Sequence, residues 1–311
     1  MVDVLVFQAS HRRARKDVAC HLYRSGLPLE SLQFVGGDIY AVSVPLCALQ
    51  AAEQLDFWSC VEYYYELCSR YRLPFNADDR YAECRPATSV EELRAYFESH
   101  PGMHGSRLAR RAITYVRDGA RSPMETALMM MLVMPRADGG LGIRDIEMDY
   151  VLPVTGYARK LTRSRSFFCD VFIRRALLDV EYGGLVHEEM HRRASDNERT
   201  NALRAMGYDV IEVSRQNFFD KQAFRRTMAA ICRKADIWPS HLPEDFADRQ
   251  EELRRFVLRR WSEPDGSRNQ VGDALWDEAD TADVMAAQAD EVWPDDFDDF
   301  EPDWPPVDDA C

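Results

Sequence analysis

Lysine is scarce in this chain of 311 residues, which contains only four: Lys16, Lys160, Lys221 and Lys234. Arginine therefore carries most of the positive charge, and its planar guanidinium group binds phosphate well. The eight cysteines are scattered and form no CxxC pair, so the sequence indicates neither a zinc site nor a disulfide framework. Reduced thiols in a bacterial-type cytoplasm are the simplest interpretation.

Long apolar runs are also missing. No stretch reaches the length of a membrane span, and no basic region precedes the apolar residues near the N-terminus, so we expect no secretory signal. Hydrophobic residues make up 46% of the chain, which is typical of a globular protein. The length allows two modest domains with real cores. We expect a cytoplasmic protein without a membrane partner.

The net charge of −14 is distributed unevenly along the chain. Residues 263–311 contain 17 acidic residues and one arginine, a charge of −16, which leaves +2 for residues 1–262. We expect this acidic tail to be disordered and to contact either a basic surface of its own chain or a protein partner. Basic residues form two clusters, which indicate phosphate contacts or an ordinary solvated surface. They are Arg107, Arg110, Arg111, Arg117 and Arg121, then Arg159, Lys160, Arg163 and Arg165.

The chain divides into five predicted segments. They are a small N-terminal α/β domain (1–87), a basic helical connector (88–121), a core (122–236), a C-terminal helix (237–262) and the acidic tail (263–311). In the first segment we predict strands at Val2–Phe7 and Gln33–Val44 and one helix from Pro45 to Arg70. The connector looks helical, with a break at Pro101-Gly102.

The core segment alternates helix and strand patterns. Ser122 is suited to cap a helix, and Glu125 completes a capping box with it. In the next strand, Ile146, Met148 and Tyr150 are predicted to share one buried face. The order α-β-β-β-α-β-α predicts an α/β (α+β) fold with a mixed four-stranded sheet flanked by helices.

Carboxylates occupy two of the predicted strands. Asp170 lies in the apolar run 168–173, and Asp179 and Glu181 lie two residues apart near the end of the next run. Residues two apart on a strand face the same side. A two-residue turn at Arg174-Arg175 would put Asp170 opposite Asp179, and a four-residue turn would put it opposite Glu181. Both registers keep the three carboxylates on one face of the sheet.

Oxygen ligands of this kind suit Mg²⁺ or Mn²⁺, and such a metal can activate water for attack on a phosphodiester. Each carboxylate also has an ordinary interpretation. Glu125 can act as a helix cap alone, while Asp170, Asp179 and Glu181 can be rim residues paired with arginine. His187 follows a glycine pair and is either a metal-shell or acid–base group or a surface histidine. Arg199 contacts nucleic acid or lies on a solvated helix face.

Residues 122–220 carry a set of short motifs in a fixed order. They are Ser122-Pro123-Met124-Glu125-Thr126, Asp170, Val180-Glu181-Tyr182, His187 and Gly207-Tyr208-Asp209-Val210. This set resembles the PD-(D/E)XK nuclease superfamily, and most closely an uncharacterised branch near the very-short-patch mismatch-repair endonucleases. The N-terminal region is similar to a domain of antitoxin-like regulators in phage-abortive systems.

The resemblance implies a restriction-endonuclease-like core that cleaves DNA with Mg²⁺ or Mn²⁺. Asp170, Asp179 and Glu181 would hold the metal, with Glu125 and His187 as further catalytic residues, and Arg107, Arg110, Arg111 and Arg199 would bind DNA. One position departs from the pattern: the superfamily has Asp or Lys where this chain has Gly183. This departure favours the alternative of a catalytically impaired DNA-binding or antitoxin-like regulator that keeps the nuclease fold.

Overall fold

A computed structural model describes residues 2–13, 16–23, 27–37, 39–74, 81–183 and 190–261, with Leu29 and residues 190–196 described by their backbone alone. These residues form a mixed α/β fold with ten strands and nine α-helices. The predicted disordered tail lies outside the described residues. Within them, no helix combines the length and apolarity needed to cross a membrane, and the seven cysteines they include are free thiols.

The first ten elements precede residue 114. They are β1 Val2–Val6, β2 Val18–Leu22, β3 Leu32–Gly36, β4 Ile39–Val42, α1 Val44–Ala51, α2 Phe57–Cys68, β5 Tyr71–Arg72, β6 Ala82–Glu83, α3 Val90–Ser99 and α4 Ser106–Ile113.

The other nine elements follow residue 122. They are α5 Pro123–Val133, β7 Ile146–Pro153, β8 Ser166–Ile173, β9 Leu178–Gly183, α6 Met190–Ala205, β10 Asp209–Ser214, α7 Arg215–Phe219, α8 Lys221–Lys234 and α9 Phe246–Leu258.

Two elements of the N-terminal half differ from the sequence prediction. The strand predicted over Gln33–Val44 is a hairpin of β3 and β4, because Gly36 and Gly37 adopt positive φ angles of 129° and 53° that reverse the chain. The helix predicted from Pro45 to Arg70 is two helices. Asp56 begins the second one, since its side chain accepts a hydrogen bond from the Ser59 N–H at 2.8 Å.

The connector is helical, as predicted, and consists of α3 and α4. Gly105 precedes α4 with a φ of 79°, and a Cβ atom at this position would lie 2.5 Å from the carbonyl oxygen of Leu49. Glycine therefore allows the start of α4 to approach α1 closely.

The largest sheet among the described residues has the strand order β10-β9-β8-β7. β7, β8 and β9 are antiparallel neighbours, and β10 returns parallel to β9 after α6. The pairing of Ile173 with Leu178 shows that four residues connect β8 and β9. Of the two predicted registers, the one with a four-residue turn is therefore observed. Extending this register by one residue beyond the pair Val171 and Val180 places Asp170 opposite Glu181.

The two faces of this sheet contact different cores. Val171, Ile173 and Val180 belong to a large core that also contains most of the buried side chains of the helices α1–α5, α8 and α9. Phe167, Cys169 and Phe172 belong to a smaller core with residues of α6. Because Leu178 and Val180 point into the large core, the alternation of β9 puts Asp179 and Glu181 on the side of the smaller core.

The prediction that Tyr150 shares a face with Ile146 and Met148 was wrong. Ile146 and Met148 lie in the large core, whereas the Tyr150 ring stacks on Phe172 of the smaller core at 4.7 Å. Asp149, between them, has a φ of 49°. This left-handed residue interrupts the alternation of side chains, so the two halves of β7 face different cores.

Candidate active site

Glu125 lies in the first turn of α5, where Ser122 caps the helix as predicted, but the Glu125 side chain does not make the reciprocal bond of a capping box to the Ser122 N–H. The Ser122 hydroxyl accepts a hydrogen bond from the Glu125 N–H at 3.2 Å and donates one to Oε1 of Glu125 at 2.9 Å. Oε2 of Glu125 accepts from the N–H of Arg121, one residue before the cap. Burial raises the pKa of Glu125 to about 7, and the negative charge of Asp170 adds to the rise. Glu125 is therefore both a cap and a carboxyl group close to Asp170.

Asp170 lies in the middle of the sheet. Its Oδ2 accepts a hydrogen bond from the N–H of Tyr182 in β9 at 3.0 Å. Burial raises its pKa above the ordinary value, and the Tyr182 N–H and the positive charge of Arg199 offset part of that rise. The register places Asp149 of β7 opposite Asp170, and Arg121 donates to Asp149 at 2.8 Å. The sequence analysis did not single out Asp149.

Asp179 and Glu181 are linked by one arginine of α6. Nη2 of Arg199 lies 2.9 Å from Oδ2 of Asp179 and also contacts Oε1 of Glu181. The same nitrogen donates to the carbonyl oxygen of Phe168 at 2.7 Å. Asp179 is fully buried, and its Oδ1 atom has no hydrogen-bond partner in the described part of the chain. Arg199, predicted to contact nucleic acid, thus contacts the carboxylates in this structure.

The electrostatic state of this pair follows from its burial. Burial, and then the negative charge of Asp179, raises the pKa of Glu181 to about 8, while Arg199 acts against that rise. Burial also raises the pKa of Asp179, and Arg199 again opposes it. One guanidinium group therefore does not fully compensate two buried carboxylates, and the pair binds a proton more readily than two exposed carboxylates would.

Gly183, the position that departs from the superfamily pattern, lies next to another carboxylate. A Cβ atom at Gly183 would lie 2.5 Å from Oε1 of Glu212. Glu212 is exposed and pairs with Glu181 across the parallel strands β9 and β10, so the two side chains share a face. A lysine at position 183 would require Glu212 to move. Glu212 was not predicted as a site residue because nothing in the sequence specifies which strand flanks β9.

The remaining predicted site residues are His187, Arg107, Arg110 and Arg111. His187 lies outside the described residues. Arg107, Arg110 and Arg111 lie on α4, which packs mainly against α1, α2 and α3. The guanidinium of Arg111 lies 3.7 Å from the centre of the Phe57 ring and pairs with Asp138. DNA binding by these arginines stays a prediction.

The chemistry of the donors suits a hard cation, since all are carboxylate oxygens and Oδ1 of the buried Asp179 lacks a hydrogen-bond partner among the described residues. Their present arrangement does not form a ready site. No group of three or more histidine, cysteine, aspartate or glutamate side chains in the described ranges could hold a metal ion as it stands. Arg199 supplies the positive charge instead.

The chain matches no protein-family model, no curated protein and no solved structure.

A cavity of about 390 Å³ lies on another part of the molecule, between α8, α9 and the segment that joins them. Its walls include Met228, Ile237, Trp238 and Phe246, and none of the residues that line it belongs to the carboxylate cluster. The cluster is the better candidate for chemistry because its carboxylates have raised pKa values and converge from α5, β8 and β9.

Proposed function

We propose that the protein is a metal-dependent DNA endonuclease whose active site is built from Glu125, Asp170, Asp179 and Glu181. The observation that carries the proposal is a set of three buried or half-buried carboxyl groups on one sheet, with Glu125 at the start of α5 beside Asp170, each with a pKa above its ordinary value. Ionisable groups with perturbed pKa values cluster at functional sites. The restriction-endonuclease-like resemblance is part of the proposal, and the strand order is consistent with it.

Asp170, Asp179 and Glu181 would hold Mg²⁺ or Mn²⁺, which when bound activates water and stabilises charge on the phosphodiester. The Tyr182 N–H fixes the Asp170 carboxylate through Oδ2 and leaves Oδ1 for other contacts. Glu125, with a pKa of about 7, can take up and release a proton near neutral pH, next to Asp170. Arg121 holds Asp149 on the adjacent strand and contributes positive charge beside Asp170.

A second candidate function is a non-catalytic DNA-binding or antitoxin-like regulator that retains the fold. Two observations favour it. Glu212 occupies the space into which a side chain at position 183 would project, and Arg199 bridges the two carboxylates of β9. Both would be tolerated in a protein that binds nucleic acid without cleaving it.

The test is cleavage of supercoiled plasmid DNA with Mg²⁺ or Mn²⁺ by the wild type and by Asp170→Ala and Glu181→Ala, with folding checked by circular dichroism. We expect nicking by the wild type and its loss in both variants, because each removes a ligand carboxylate. Asp179→Ala should be nearly as damaging. Asp209→Ala is the control, since Asp209 is an exposed carboxylate of β10 that pairs with Lys234.

Cleavage that persists in EDTA, or wild-type activity in all three site variants, would contradict the proposal. If the wild type binds DNA but does not cleave it, whichever metal is added, the regulator becomes the better interpretation.

A further inference from the structure

Arg199 is the only positively charged side chain in the described part of the chain that contacts both carboxylates of β9. Its side chain is 27% exposed, whereas Asp179 is fully buried. The guanidinium group also lies 5.6 Å from the centre of the Phe167 ring. Movement of this one side chain toward solvent would thus break its contact with Asp179 while the helix that carries it stays in place.

The hydrogen bonds of Arg199 do not satisfy the site. Nη2 carries two hydrogen atoms but has three acceptors, on Asp179, Glu181 and Phe168. Oδ1 of Asp179 is buried and has no partner among the described residues. A buried carboxylate oxygen without a donor is costly, so the arrangement leaves a demand for positive charge that the arginine does not meet.

A divalent cation meets that demand better than the guanidinium group. It carries two positive charges and can bind several carboxylate oxygens at once, whereas Arg199 carries one charge. The exchange need not leave Arg199 unpaired. A freed guanidinium on α6 remains beside the site, and its planar fork matches the oxygens of a phosphate group.

We propose that Arg199 is a displaceable counter-ion: a divalent cation takes its place at Asp179 and Glu181, and the freed arginine positions the DNA phosphate. This inference rests on the proposed function. It makes Arg199 a positioning residue with two opposed effects, since it competes with the metal before binding and supports the substrate afterwards. A purely structural salt bridge would lack the second effect.

The experiment measures Mn²⁺ binding to the full chain by titration calorimetry, with Arg199→Gln compared with the wild type. Glutamine keeps polar bonding and removes the charge. Because the acidic tail also attracts Mn²⁺, binding to Glu181→Gln provides the background. Arg204→Gln is the matched control, since Arg204 is an exposed arginine of the same helix. Arg199→Lys tests whether a positive charge at position 199 is sufficient to compete with Mn²⁺ for Asp179 and Glu181.

We expect Arg199→Gln to bind Mn²⁺ about tenfold more tightly than the wild type, a change of about 1.4 kcal/mol, while Arg204→Gln is unchanged and Arg199→Lys remains weak. Mn²⁺ should also raise the melting temperature of Arg199→Gln more than that of the wild type, because it binds the folded state more strongly. At saturating Mn²⁺, kcat for plasmid nicking should fall in Arg199→Gln.

The outcomes separate this inference from the proposed function. If the wild type cleaves DNA but Arg199→Gln binds Mn²⁺ no more tightly, displacement is wrong and the endonuclease stands. If Arg199→Gln binds Mn²⁺ more tightly but no protein cleaves DNA, the exchange at the carboxylates stands and the endonuclease fails. If the wild type and Arg199→Gln both bind Mn²⁺ no more strongly than Glu181→Gln does, the displacement and the metal-dependent endonuclease are both overturned.

Discussion

The carboxyl group of Glu181 couples the charge of the site to the stability of the fold. Its pKa is raised to about 8, whereas a glutamate in an unfolded chain titrates near about 4.3. Between these pH values the folded state binds more protons than the unfolded state. The contribution of Glu181 to the free energy of unfolding therefore decreases as the pH rises from about 4.3 to about 8.

We predict that Glu181→Gln reduces this pH dependence, because glutamine remains neutral throughout the range. The measurement is urea unfolding in EDTA between pH 5 and 9. Glu198→Gln is the control, since Glu198 is an exposed residue of α6 and should leave the wild-type slope unchanged. A slope in Glu181→Gln equal to that of the wild type would show that Glu181 is ionised across the range.

At the residue scale, the sequence predicted the carboxylates but not their partners. A charged residue within an apolar strand, such as Asp170, is noticeable in any sequence because burial without a partner is costly. The partner is a different matter. Arg199 lies 20 residues after Asp179, and Asp149 lies on another strand. Only the tertiary structure decides which arginine reaches which carboxylate.

The start of α5 has two roles that mutation can separate. Ser122→Ala removes the N-cap bond to the Glu125 N–H and the hydrogen bond to Oε1 of Glu125, so we predict a loss of about 1 kcal/mol of stability and a smaller loss of DNA nicking than in Glu125→Gln. Glu125→Gln keeps an oxygen that can accept the Arg121 N–H bond but removes the charge, so nicking should fall with little change in stability. Chemical unfolding and plasmid nicking, measured on both variants, check the separation. Equal losses of nicking in both would make Glu125 a cap alone.

The connection between β8 and β9 stores backbone strain at Leu177. This residue has a φ of 47°, in the left-handed region that is unfavourable for branched side chains, and its side chain is 46% exposed. Asparagine tolerates this conformation better. We predict that Leu177→Asn raises stability by about 0.5–1 kcal/mol, measured by thermal or urea unfolding. Leu177→Val should lower it, and a loss of stability in both variants would mean that the packing of Leu177 outweighs the strain.

At the element scale, local patterns predicted the order of helices and strands in the core, apart from the short helix α7, but not every face or boundary. The capping box located the start of α5, and apolar runs located β8 and β9, because these features depend on neighbours in sequence. The division of the first long helix at Asp56 and the change of face at Asp149 were not predicted. Each of these two features depends on one aspartate. In other proteins an aspartate can also lie inside a continuous helix or a regular strand, so its presence in the sequence does not predict the interruption.

At the scale of the whole molecule, the charge is separated along the chain. Residues 263–311 carry −16 and residues 1–262 carry +2. A tethered polyanion competes with DNA for any basic surface at an effective concentration that can reach roughly millimolar for a short flexible tether. Attraction between charges weakens as salt screens them, so this competition is strongest at low salt.

We predict that truncation after Ser262 raises the affinity for non-specific DNA and steepens its dependence on salt. Phosphate contacts release counter-ions, and this release sets the slope of affinity against salt. In the full chain the tail suppresses binding most at low salt, which flattens that slope, and its removal restores the slope. The measurement is DNA binding by fluorescence anisotropy for both proteins across a salt series. Superimposable curves would mean that the tail does not compete with DNA, which would leave it as a solubility element or a segment that binds another protein.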